Sequence, residues 1–156
     1  MDKFKKHYLL PITYYLLPII LTQEVSTMQV VRKINDELAI AGQIIAEQFP
    51  EIAEEGYKSV LNLRSPDECD FLTNEQDKIE FLGLHYVNLP TKTEMINPEV
   101  VLRILKTINE LPKPVLIHCD NAMRSAAIVL MYIATKQGIP LEQTFKQATK
   151  LGLLYS

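Results

Sequence analysis

Cys119 and Arg124 stand with four residues between them, His118 just before and Ser125 just after. A β-rich run, Val115-Leu116-Ile117, leads into His118-Cys119, and the apolar run Ala126 to Ala134 follows Ser125. The pattern reads as strand, tight loop, buried helix. Such a loop aims its N–H groups and the helix N-terminus at one point and so builds a site for an anion. A thiol on that positive ground favours its thiolate, the form that attacks electrophiles. Arg124 adds a planar fork for two oxyanion oxygens. The chemistry expected is nucleophilic attack by the Cys119 sulfur on an anionic centre. The backbone of Asp120, Asn121, Ala122 and Met123, together with Arg124, would line that centre. His118 is expected to orient the loop from behind. Ser125 is expected to donate to the thiolate or aid its departure, against plain helix N-terminal capping.

The elements that must hold this loop follow from periodicity and caps. Glu37 to Ala41 reads as a short strand ending in Gly42-Gln43. A helix follows, opened or bent by Pro50 and stopped by Gly56. Lys58 to Leu63 and Leu84 to Leu89 read as strands, with a helix over Asn74 to Leu82 between them. Asn97-Pro98 is a strong helix start, N-cap then proline at the first helical position. Val100, Val101, Ile104, Leu105, Ile108 and Leu111 then share one face. A helix over Ser125 to Lys136 and a last amphipathic helix after Pro140 complete the chain. Strands alternating with helices imply an α/β fold, a mainly parallel sheet of four to five strands covered on both faces. Ligands of such sheets bind beyond the carboxyl ends of the strands. Cys119, Arg64 and the loop Pro90 to Met95 all fall at such ends.

Composition narrows the function. At 156 residues with 47% apolar and 22% charged content, the sequence reads as one ordinary folded domain. The net charge of −3 and the lack of a basic tract argue against a nucleic-acid partner. Cys69 and Cys119 are the only cysteines and no His/Cys cluster has metal spacing, so no metal or cofactor is expected. A reversible Cys69–Cys119 disulfide is weighed against a simple loop thiol. Residues 1–27 differ from the rest: Lys3, Lys5 and Lys6 precede an uncharged apolar run, residues 8–22, interrupted by Pro11 and Pro18. They read as an extension before a domain over 28–156, either a signal or anchor or a start upstream of Met28. A cytoplasmic location is expected, with a membrane-anchored or exported form as the alternative if the extension is genuine.

Together, Gly42-Gln43, Val60 to Arg64 with Asp67-Glu68, Gly83 to Pro90, and His118-Cys119…Arg124-Ser125 resemble the cysteine-dependent phosphatases of the protein tyrosine and dual-specificity type. Within that superfamily the chain is most similar to the bacterial beta-lactamase hydrolase-like phosphatase family. The resemblance implies a dual-specificity-phosphatase-like fold and a phosphorylated substrate, protein or small molecule. It also implies hydrolysis of a phosphate monoester through a phosphocysteine. A leaving oxygen needs a proton from a carboxylic acid near the thiol. In these phosphatases the acid lies on a loop near the cradle, which singles out Glu94, with Asp67 as runner-up. Arg64 either contacts the ligand or holds the loops together through a buried pair.

Two departures from the superfamily bear on mechanism. The usual spacing between Cys and Arg is five residues; four also suits a rhodanese-like sulfurtransferase that carries a Cys119 persulfide. The loop has no glycine, so Asn121 is expected to take the left-handed conformation. Asp120 beside the thiolate opposes a bound dianion unless its side chain turns outward. A non-catalytic anion-binding module is the third reading.

Overall fold

The computed structural model describes residues 31–154; the extension over residues 1–27 lies outside them. Five strands form one sheet: β1 (Arg32–Lys33), β2 (Leu38–Ala41), β3 (Ser59–Asn62), β4 (His85–Asn88) and β5 (Val115–His118). Their order is β1-β2-β5-β3-β4. All neighbours are parallel except β1, which pairs antiparallel with β2. Five α-helices connect or follow the strands: α1 (Phe49–Glu54), α2 (Glu75–Phe81), α3 (Pro98–Glu110), α4 (Met123–Lys136) and α5 (Leu141–Lys150).

Side chains of a strand alternate between faces, and here the alternation divides the core in two. Leu38, Ile40, Leu61, Val115 and Ile117 pack with α3, α4 and α5 on one face. Ala39, Ala41, Val60 and Leu116 pack with Phe49 and Ile52 of α1 and Ile79 of α2 on the other. Helix α4 is apolar on nearly all sides because it is buried on nearly all sides, from Arg124 through Tyr132 and again at Ala134. Each fully buried aliphatic side chain contributes about 1.5–3 kcal/mol, so this helix is fixed by packing rather than propensity.

Caps hold the remaining boundaries. Asn97 accepts from the Val100 amide at 2.9 Å and Pro98 opens α3, as the sequence pattern implies. Gly56 follows α1 with φ +94°, the left-handed conformation that ends a helix. The expected helix before Gly56 is shorter than the sequence suggests: a 3₁₀ turn, Ala46–Gln48, precedes α1, and Pro50 lies at its start. The two-residue strand β1 carries no apolar alternation and is not foreseen from sequence.

The carboxyl ends of the strands form one row. Ala41 pairs with His118, His118 with Asn62, and Asn62 with Asn88. Beyond this row the chain leaves the sheet as four loops, after β2, β3, β4 and β5. Backbone bonds stitch them together: Leu63 to His118 at 2.9 Å, Thr91 to Leu63 at 2.9 Å, and Gln43 to the Asp120 carbonyl at 3.0 Å.

Candidate active site

Cys119 is fully buried at the end of central strand β5, its amide bonded to the Ala41 carbonyl at 3.2 Å. Arg124, the second residue of α4, is also buried. The loop between them turns at Ala122, φ +70°, and not at Asn121. The reason is local. The Asn121 side-chain oxygen accepts the Met123 amide at 3.1 Å, an Asx-type turn that moves the left-handed residue one place on. Two loop amides thereby have partners inside the loop, because Asn121 itself donates to Asp120 Oδ1 at 2.8 Å.

The Arg124 guanidinium is firmly held. Its Nη1 donates to Glu68 Oε2 at 2.9 Å and to the Thr91 carbonyl at 2.9 Å, and its Nη2 to Glu68 Oε1 at 2.6 Å. Asp120 Oδ1 lies 3.0 Å from the same Nη2. Burial opposes the Arg124 charge, but Glu68, the Cys119 sulfur and Asp120 outweigh it and push the guanidinium's pKa up. Burial also pushes the Glu68 carboxyl up, yet Arg124, the Ser65 amide and Arg64 hold it below the usual glutamate range. Glu68 is the functional residue the sequence pattern does not single out as such: its partner Arg124 is 56 positions away.

Asp120 points its carboxylate at Arg124, so the outward turn under which it would not oppose a bound dianion is not taken. The charge of the guanidinium decides its direction. Arg64 is buried, and every bond it makes is internal: Gln43 Oε1 at 2.5 Å, the Asp70 carbonyl at 3.3 Å, the Cys69 carbonyl and Glu68. It holds the loops together. Ser125 donates to no acceptor, Cys119 sulfur included, although its hydroxyl is buried. Its expected bond to the thiolate is absent here.

His118 stands behind the loop. Its Nε2 lies 2.8 Å from Glu75 Oε2 and its Nδ1 3.4 Å from the Cys119 carbonyl. Glu75 on α2 also accepts from Gln43, Asn62 and Tyr86, at 3.1, 3.0 and 2.6 Å. Burial raises the Glu75 carboxyl, but His118, with Tyr86 and Gln43, outweighs it and keeps it below the usual range. Burial and Glu75 together push the Tyr86 hydroxyl up, so it stays a donor. The site thus rests on a saturated polar network under β3 and β5, with its orienting carboxylate supplied by a helix the sequence reading did not connect to it.

The two expected acids make no bond to the thiol or to the guanidinium. Glu94 is exposed on the turn Thr93–Met95 after β4, beside Lys92. Asp67 pairs with Lys92 at 2.5 Å, which lowers its carboxyl. Neither is hydrogen-bonded to Cys119 or Arg124. Cys69 and Cys119 are both free thiols. A cavity of about 370 Å³ opens beside the loop, and Gln43, Arg64, Glu68, Cys69, Asp70 and Asp120 line it. A larger cavity of about 600 Å³ lies at the opposite end of the sheet, against Tyr57 and Pro114, away from the thiol. Among the described residues no helix is long and apolar enough to cross a membrane, and the run over residues 8–22 lies outside them.

The buried cysteine ends a central parallel strand and the arginine opens the next helix, as the sequence pattern implies. Solved structures share the fold. A candidate phosphatase from Shewanella putrefaciens matches with TM-score 0.67 at 20% identity, over 86% of this chain and 96% of that one. P. aeruginosa TpbA, solved in complex with pTyr, matches at TM-score 0.62 and 17% identity, over 83% and 77%. The chain belongs to the family of the beta-lactamase hydrolase-like protein, phosphatase-like domain, whose model matches residues 30–136. It is 28% identical over 102 residues to the beta-lactamase hydrolase-like protein of Agrobacterium fabrum. That stretch is 64% of this chain and 24% of the relative, so the chain spans about a quarter of it. Family and fold together class the domain as phosphatase-like.

Proposed function

We propose that this domain hydrolyses phosphate monoesters through a covalent phosphocysteine on Cys119. The observation that carries the reading is the pairing of a buried thiol, at the strand end, with a buried guanidinium fixed by Glu68 and the Thr91 carbonyl. An arginine already held at both terminal nitrogens loses little freedom when an oxyanion arrives, which is the preorganisation that stabilises charge in a transition state. The Cys119 sulfur attacks phosphorus, an S–P bond forms, and the ester P–O bond breaks. Arg124 and the loop amides not already satisfied within the loop hold the non-bridging oxygens. Water then attacks phosphorus, the S–P bond breaks, and inorganic phosphate leaves with the thiolate restored. The substrate is a phosphorylated protein side chain or small molecule; TpbA, with the same fold, was solved with pTyr.

The test uses the chain assayed on p-nitrophenyl phosphate and, in parallel, for thiosulfate:cyanide sulfur transfer. Hydrolysis of the ester is expected, falling to background in Cys119→Ser. Sulfur transfer without ester hydrolysis overturns the reading in favour of a persulfide enzyme. Ester hydrolysis untouched by Cys119→Ser removes the nucleophile.

A further inference from the structure

Two carboxylates reach Arg124, and they differ in how free they are to carry a proton. Both oxygens of Glu68 are occupied: Oε1 faces Arg124 and Arg64, while Oε2 accepts from Arg124 and from the Ser65 amide at 2.5 Å. Its side chain is 18% exposed and its charge is clamped between two guanidiniums. Asp120 follows the nucleophile directly and is 49% exposed. Both of its contacts fall on Oδ1, the Asn121 amide at 2.8 Å and Arg124 Nη2 at 3.0 Å. Oδ2 is therefore the oxygen that would carry a proton. Glu94, on its exposed turn, and Asp67, bound to Lys92, have no comparable position.

We propose that Asp120 is the general acid of the reaction, protonated as the anionic substrate displaces its carboxylate from Arg124. The proposal rests on the phosphocysteine reading above. Asp120 Oδ1 occupies a place on Nη2 that a substrate oxyanion requires. A dianion entering there brings negative charge against the carboxylate, and like charges at such range favour the neutral acid. Glu68 and Asp70 face Asp120 with negative charge and Arg64 and Arg124 with positive charge; Cys69 is the thiol that lines the cavity, and Cys119 is the residue before Asp120. The dianion tips this balance because it takes over Arg124.

The step balances. Cys119 sulfur bonds to phosphorus as the ester P–O bond breaks, and the Oδ2 proton passes to the leaving oxygen. The Asp120 carboxylate then takes a proton from the water that attacks the phosphocysteine, the S–P bond breaks, and phosphate and thiolate are released. An acid next to the nucleophile dispenses with a closing loop. It also makes anion binding take up a proton.

Asp120→Asn keeps the shape and the Oδ1 acceptor but has no acidic proton to give. Turnover of phenyl phosphate, a poor leaving group, is expected to fall by about a hundredfold or more in this variant, and that of p-nitrophenyl phosphate far less. Sulfate, a dianion at neutral pH, gives a readout independent of turnover. Its inhibition constant should rise with pH in the wild type, by up to about tenfold per pH unit for one proton taken up per anion, and lie flat in Asp120→Asn. Retained, pH-independent sulfate binding also shows that the variant is folded. Equal losses on both esters, faster turnover of both, or the selective loss reproduced by Glu94→Gln would each overturn the assignment of Asp120. Activity of Cys119→Ser on either ester is a different result, and it sinks the underlying phosphocysteine instead.

Discussion

Ala122 shows how much one backbone angle decides in this site. At φ +70° a residue with a Cβ costs about 1–2 kcal/mol, and a β-branched one more. The loop accepts this cost because Asn121 and Asp120 each close a small ring on the next amides, which fixes the turn from both sides. Alanine is the smallest side chain that still fills the buried place. Ala122→Val is expected to lower stability by about 2 kcal/mol or more, and Ala122→Gly to be nearly neutral, its relaxed angle offset by lost burial and a freer unfolded chain. Urea unfolding measures both. A valine variant as stable as wild type would mean that the loop does not depend on this conformation.

At the level of elements, α2 is bound to the sheet by charge as much as by Ile79. Glu75 accepts four bonds from donors on the Gly42-Gln43 loop, β3, β4 and β5. Glu75→Gln turns one oxygen into a donor facing donors, and each buried donor left unsatisfied costs about 1–3 kcal/mol. The melting temperature should drop by about 10 °C for a chain of this size. The pH dependence has a defined sign. Glu75 and Glu68 both titrate below the usual glutamate range in the folded chain. Their contribution is complete above the unfolded glutamate value of about 4.3, and it is lost as pH falls through the lower folded values. A wild-type melting temperature that stays flat from pH 7 to pH 3 would contradict the network's role, as would a Glu75→Gln shift of only a degree or two.

Across the whole molecule, what was legible in the sequence was what is local. The alternation of strands and helices, the Asn97-Pro98 cap and the His118-Cys119…Arg124-Ser125 pattern all rest on neighbours within a few residues, and each has its place in the fold. The pairing of Glu68 with Arg124 and of Glu75 with His118 was not legible, because it spans 56 and 43 positions and depends on crossovers that no local pattern encodes. The direction of Asp120 was left open by the sequence for the same reason: solvent is the local choice, but the guanidinium is brought beside it by the start of α4. Strand β1 is too short to carry a period. The loop after β4 falls beside the site as expected, yet Glu94 on it stays in solvent, because sequence fixes which loop a residue is on and not which way it faces.

The central claim concerns a bond between sulfur and phosphorus, and it can be seen directly. Acid quench of the wild-type chain during turnover of p-nitrophenyl phosphate, followed by mass spectrometry of its peptides, should show one phosphoryl group on the peptide carrying Cys119 and none in Cys119→Ser. Continued hydrolysis with that peptide unmodified in every quench, or with the phosphoryl group on another residue, would contradict the account.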